Sequence, residues 1–230
     1  MLVISIDGAC RRNGKLDCVS AGGVFIQEFE HNVQEPIRTK TLSAFEMCST
    51  NQRGEMQALR EALLYMYKVN QSGHIITDSE YLFNAMTKDW LQSWSRKGWV
   101  TATGEPVKNK DLWEQIYQAY LCCDKNGLEV MFYHIKGHCI PFGKVTASSL
   151  LAKDESGKLL MQEVISKLSK KPHTTTVLSN IEKAKKLSLK NNGFEPTDDI
   201  LESFIVANTV VDAVATQCVE AADALYLNSK

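Results

Sequence analysis

Apolar residues follow two rhythms along this chain. Unbroken apolar runs over 2–7 (LVISID) and 73–78 (GHIITD) predict buried strands, and each run ends in an acid. Residues 18–29 (CVSAGGVFIQEF) and the alternating 36–43 (PIRTKTLS) predict two more strands, with the turn-rich stretch 8–15 between the first two. Three strands in succession read as an antiparallel meander, and Gly22-Gly23 within it allows a bulge or the close approach of another element. The second rhythm is helical. Met56, Leu59, Leu63 and Met66 recur at i, i+3, i+7 and i+10 within a helix over 52–69. Further helices are expected over 79–97 and 110–125, a loop over 98–109, a fifth strand over 128–136, and a final helix over about 199–225. This order predicts an α/β fold: a five-stranded mixed sheet, three strands antiparallel plus two parallel, flanked by helices. The stretch 145–199 changes character; its segment 167–190 holds seven lysines against one acid, Glu182. The chain reads as one domain over 1–230 with 145–199 as an insertion before the last helix.

Composition narrows the class. Of 230 residues 44% are hydrophobic and 23% charged, the balance of a globular protein, which excludes disordered, collagenous and coiled-coil chains. No stretch reaches the roughly 18 unbroken apolar residues of a membrane span, so no membrane association is expected. A net charge of −1 excludes a uniformly basic polyanion binder but permits a local basic groove. The seven cysteines are scattered and odd in number, without a CxxC, and point to reduced thiols. With an N-terminus that starts as a strand rather than a secretory or organelle signal, this suggests an intracellular protein, cytoplasmic or nuclear. His134-x3-His138-Cys139 lacks a second cysteine pair, so no structural zinc is expected.

The acids carry the chemistry. Ligands of open α/β sheets bind beyond the carboxyl ends of the parallel strands, where Asp7 and Asp78 would face each other. Two carboxylates that close raise each other's pKa unless a divalent cation neutralises them. Either aspartate alone reads equally as a strand terminator or a helix cap. Glu55 lies in the first turn of the helix over 52–69, where it could serve the helix dipole; Leu59 and Ala62 at i+4 and i+7 turn it toward the buried face. Asp212 interrupts the apolar run IVANTVVDAVAT, where an unpaired charge would be costly. Four carboxylates form a hard oxygen donor set suited to Mg²⁺ or Mn²⁺, and to two-metal phosphodiester chemistry.

These residues resemble a known family, type 1 ribonuclease H. Ile6-Asp7-Gly8-Ala9-Cys10-Arg11-Arg12-Asn13-Gly14 is similar to its first strand and turn, Thr50-Asn51-Gln52-Arg53-Gly54-Glu55 to the start of its first helix, Thr77-Asp78-Ser79 to the end of its fourth strand, and Lys136-Gly137-His138 to the loop after its fifth. Trp90-Leu91-Gln92-Ser93-Trp94 and Val107-Lys108-Asn109-Lys110-Asp111-Leu112-Trp113 are similar too, and the likeness spans about 1–143 and 204–225. The resemblance implies an RNase H-like fold and an endonuclease that cuts the RNA strand of RNA–DNA hybrids, leaving 3′-hydroxyl and 5′-phosphate ends. It implies two Mg²⁺ ions, with Mn²⁺ as substitute, held by Asp7, Glu55, Asp78 and Asp212, Asp7 bridging both. His138 would assist proton transfer or product release. Asn13, Asn51 and Gln52 would read the 2′-hydroxyl that distinguishes RNA from DNA. Thr50 and Asn109 would hold a phosphate of the DNA strand, and Trp90 and Trp94 would lie on its aromatic channel, where a pair at i, i+4 also reads as core. The protein is expected to act as a monomer, without a preceding hybrid-binding module.

Three features depart from the family. Cys48 stands where eukaryotic members often carry an arginine of the phosphate pocket. The insertion over 145–199 exceeds the roughly ten residues the family needs there, and reads as a solvated helical elaboration, an extension of the hybrid-binding surface or a protein-interaction site. It also makes Asp198 and Asp199 competitors of Asp212, although Asn208-x3-Asp212 repeats the family's spacing. Two other functions share the fold: a catalytically silent hybrid- or protein-binding module, and another two-metal nuclease of resolvase or integrase type.

Overall fold

The computed structural model describes residues 1–30, 36–137 and 175–228. Strands β1 (Leu2–Arg11), β2 (Val19–Glu28), β3 (Arg38–Met47), β4 (Gly73–Thr77) and β5 (Val130–His134) form one sheet in the order β3-β2-β1-β4-β5. β1, β2 and β3 make the expected antiparallel meander, while β4 pairs parallel to β1 and to β5. β1 outruns the expected 2–7 because β2 stays paired with it to Arg11↔Val19, whereas β4 leaves it at Ile6↔Thr77. β3 falls at 38–47 rather than 36–43 because it follows β2 along its whole length, from Glu28↔Arg38 to Val19↔Met47.

The helices are α1 (Asn51–Val69), α2 (Glu80–Thr87), α3 (Trp90–Arg96), α4 (Lys110–Lys125), α5 (Thr175–Asn192) and α6 (Asp198–Asn228). The single helix expected over 79–97 is two helices, because Asp89 takes a left-handed conformation (φ 56°) that ends one and starts the next. α1 begins where the Thr50 side chain accepts the Arg53 N–H (3.4 Å) and ends at left-handed Asn70.

Strand alternation sorts the core into two layers. Leu2, Ile4 and Ile6 face α1 and α4, packing with Met56, Leu59, Leu63, Trp113 and Ile116. On the other face Val3, Ile76, Tyr133 and Ile135 pack with Val177, Ile181 and Ala184 of α5 and Leu201, Phe204 and Ile205 of α6. Gly22 and Gly23 are a close approach and not a bulge: register continues through Asp7↔Gly23 and Gly8↔Gly22. A β-carbon on Gly22 would run into α1 at Gly54 and Ala58, and one on Gly23 into α6, 2.7 Å from the Ala215 nitrogen. Adjacent glycines thus admit one helix on each face of the sheet. α6 is long and apolar enough to cross a membrane by length and composition; here its apolar side is the second core layer. The six cysteines among the described residues are free thiols.

Candidate metal centre

The site grows out of strand register. One step past the pair Ile6↔Thr77 stand Asp7 and Asp78, at the same end of neighbouring parallel strands. Asp7 is 7% exposed and its Oδ1 accepts the Gly8 N–H at 2.7 Å. α1 crosses this strand end so tightly that a β-carbon on Gly8 would lie 2.6 Å from the Glu55 nitrogen and 2.7 Å from its Cγ. That contact delivers the Glu55 carboxylate, which accepts from Asn51 Nδ2 (3.1 Å) and is hydrogen-bonded by Ser79. α6 delivers the fourth acid from the opposite face. A β-carbon on Gly23, the β2 partner of Asp7, would lie 3.0 Å from Val211 O and 2.7 Å from Ala215 N, and Asp212 lies in that helical turn. Asp198 starts α6 fourteen residues earlier, about 21 Å along the helix, and is ion-paired to Lys185 (2.5 Å). Of the three competing acids the fold therefore brings Asp212 to the strand ends.

Burial and mutual repulsion shape the electrostatics. Burial holds the Asp7 carboxyl well above the usual range, and the Asp78 and Asp212 charges push it further, against the Gly8 N–H that lowers it. Burial likewise pushes Glu55 up to about 7, with Asp78 adding to it while Ser79 and Asn51 oppose. Among the described residues no three His, Cys, Asp or Glu side chains close to ligation geometry together. Asp7 feels the charges of Asp78, Asp212 and Glu55, and Glu55 that of Asp78; a hard cation between such acids would relieve their repulsion. The donor set fits such a cation: anionic oxygens only, from four separate segments, half-open to solvent. Of the histidine-cysteine set considered for zinc, His134 is described, whereas His138 and Cys139 lie outside the described residues.

The other site residues named from the sequence distribute as follows. Thr50 caps α1, and Asn51 and Gln52 open it about one turn before Glu55. Asn109, left-handed at the start of α4, donates from Nδ2 to Gln52 Oε1 (3.1 Å), so the two lie side by side. Asn13 is exposed in the turn after β1. Trp90 and Trp94 are half-buried with rings 5.9 Å apart, and Trp94 meets the fully buried Trp113 edge-on at 5.4 Å. They line a groove of about 380 Å³ with Lys97 and Thr101, so the pair serves core and surface together. Cys48 is exposed, its thiol directed to Leu16 O (3.0 Å). His138 lies outside the described residues.

Three supporting residues lie within the motifs quoted above, but the sequence assigns them no role of their own. Ser79 caps α2 through the Leu82 N–H (3.5 Å) while binding Glu55; its capping position before a helical run was visible, its second contact was not. Arg53 forks between Glu46 (2.7 and 2.8 Å) and Asp111 (2.9 and 2.7 Å), fixing the start of α1 to β3 and α4. Gly137 abuts Asp78, and a β-carbon there would strike the Asp78 carboxylate. No local pattern reveals the contacts of either of the last two.

A sheet in this order, with acids at the ends of its central parallel strands and a further acid on the closing helix, is the architecture of the ribonuclease H type. Sequence comparison agrees. A model of the RNase H family matches residues 1–153. The chain is 34% identical over 137 residues to a ribonuclease H of Clostridium botulinum, covering 60% of this chain and 83% of that one. It is 38% identical over 132 residues to a ribonuclease H of Thermus thermophilus, covering 57% and 70%. Among solved structures it is similar to LC9-RNase H1, described as a type 1 RNase H with the type 2 active-site motif, at 25% identity and a TM-score of 0.50, over 60% of this chain and 63% of that one. The chain belongs to the RNase H family. It is an endoribonuclease of RNA–DNA hybrids, and the family is generally dependent on divalent metal.

Proposed function

We propose that Asp7, Glu55, Asp78 and Asp212 hold two Mg²⁺ ions, replaceable by Mn²⁺, and that the protein uses them to cut the RNA strand of a hybrid to 3′-hydroxyl and 5′-phosphate ends. The observation that carries this reading is Asp7, a buried carboxylate whose strongest neighbours are other carboxylates. Such a cluster is costly unless a cation from solution joins it. Bound divalent ions in a pair supply an activated water and stabilise the leaving oxygen.

The chain's own residues do the rest. Asp7 sits between Asp78 on one side and the Asp212 turn on the other, where it can serve both ions. Asn51 and Ser79 orient Glu55, so its oxygens face the cluster rather than solvent. Asn13, Asn51 and Gln52 read the 2′-hydroxyl, Thr50 and Asn109 take a phosphate of the DNA strand, and Trp90 and Trp94 support the strand beyond it. His138 assists proton transfer or product release. Replacing Asp78 by Asn tests the reading. Hybrid cleavage with Mg²⁺ should fall by about three orders of magnitude, the equivalent of several kcal/mol of transition-state stabilisation. Circular dichroism and thermal unfolding should stay as in the parent, and an all-DNA duplex should stay uncut by both. Near-parental turnover of the variant would refute the metal assignment.

A further inference from the structure

α5 lies beyond the residues that match the family model, in the stretch that the family does not need. Its apolar stripe, Val177, Ile181 and Ala184, packs on β4 and β5. The adjoining stripe, Thr176, Ser179, Asn180 and Lys183 at i, i+3, i+4 and i+7, forms one helix face and is polar throughout. Asn180 is 5% exposed and holds the backbone of Lys136 twice: its Oδ1 accepts the Lys136 N–H (3.0 Å) and its Nδ2 donates to the Lys136 carbonyl (3.2 Å). One side chain makes both contacts that a neighbouring strand would make just past the end of β5. Two bonds from one planar amide fix α5 in height and in rotation against Lys136-Gly137, and Gly137 packs directly on Asp78.

The clamp sets where Lys183 stands. One turn on from Asn180, it lines a pocket of about 620 Å³ together with Asp78, His134, Lys136, Thr176, Ser179 and Glu80. Its neighbour Lys185 is ion-paired to Glu195 and Asp198, whereas Lys183 is exposed and has no ion pair among the described residues. Lysines and hydroxyls beside a carboxylate of the metal cluster make an arrangement suited to backbone phosphate. Glu80 and Asp78 on the rim oppose a small free anion, but not a phosphate already tethered to a bound polymer.

We propose that this pocket is a subsite for a backbone phosphate of the cleaved RNA strand, next to the scissile one, with Lys183 as its cationic contact and the Ser179 and Thr176 hydroxyls as donors. It rests on the assignment of Asp78 to the metal centre. The insertion thereby adds a grip on the cleaved strand. The test is steady-state cleavage of an RNA–DNA hybrid with Mg²⁺ by the full chain over a series of salt concentrations. Lys183→Ala should raise KM about five- to tenfold with kcat within twofold, and should flatten the slope of log KM against log salt by roughly 0.7–0.9, the share of one phosphate contact. Lys183→Arg should keep the parent's values, and so should Lys190→Ala, about 10 Å further along α5. Should Lys183→Ala fold poorly, Ser179→Ala gives the second measurement, a two- to threefold rise in KM. A Lys183→Ala variant indistinguishable from Lys190→Ala in KM and slope overturns the subsite while the parent's cleavage leaves the metal centre standing. A parent that does not cut hybrid overturns the metal reading, and the subsite with it.

Discussion

Glu46 and Asp111 sit on either side of the Arg53 guanidinium, while Asp7 and Glu55 sit among other acids. At the first place the arginine holds both carboxyls below their ordinary range, chiefly through its hydrogen bonds. The same pattern recurs where Asp223, 3% exposed, meets Arg12 and ties the end of α6 to the turn after β1. At the second place burial comes first and neighbouring carboxylates next, and both push proton affinity up. Among the described residues, no arginine or lysine figures among the groups that set Asp7 or Glu55. Where acids join elements, the chain supplies its own cations. Where we propose that acids do chemistry, the described residues supply no such cation, and the difference separates a stabilising contact from a costly one suited to function.

The contrast breaks most sharply at Asp7. Asp7→Asn should lower Mg²⁺-dependent hybrid cleavage by about three orders of magnitude, yet raise the metal-free unfolding temperature by a few degrees, because it removes a buried charge surrounded by like charge. A variant that loses activity and stability together would put Asp7 in the same class as Glu46. The pH dependence carries the same sign. The folded Glu55 carboxyl, at about 7 against an ordinary 4.5, binds its proton more tightly than the unfolded chain does. Its contribution to metal-free stability is therefore complete below about 4.5 and lost as pH rises through 7. Thermal melts between those limits, with and without Mg²⁺, should show that loss and its reversal.

Gly137→Ala probes the cluster from its wall. The new methyl would strike the Asp78 carboxylate, the movable end of a side chain, so the acid should shift while the fold stays. A loss of ten- to a hundredfold in kcat is expected, since misplacement by about 1 Å costs that much, with little change in melting. An unchanged kcat would show that Asp78 can move without consequence. Arg53→Ala tests the other side of the comparison. It should cost about 1–2 kcal/mol, given its partly exposed partners, and leave kcat of hybrid cleavage within a few-fold. A large loss of kcat with unchanged stability would move Arg53 from joint to active site.

Much of this was legible along the chain because it depends on short-range rules. Apolar runs ending in Asp7 and Asp78 located two strands and their functional ends, and helical spacing turned Glu55 inward. The bounds of α4 matched to the residue, since periodicity and the left-handed start at Asn109 coincide there. The single helix expected over 79–97 failed at Asp89, whose left-handed backbone leaves no mark in the apolar pattern. β1 and β3 were read too short or shifted, because a strand's length is set by its partner and not by its own residues.

What the sequence determined by itself was the order of elements, the alternation that divides core from surface, and the candidate acids, all consequences of residue type repeated at fixed spacing. The Asn208-x3-Asp212 spacing favours Asp212 over Asp198 and Asp199, but only tertiary structure shows where α6 crosses Gly23. It also decided that Asn180 grips Lys136 across 44 residues. Such contacts rest on the approach of segments distant along the chain, and packing geometry, not local preference, sets that approach.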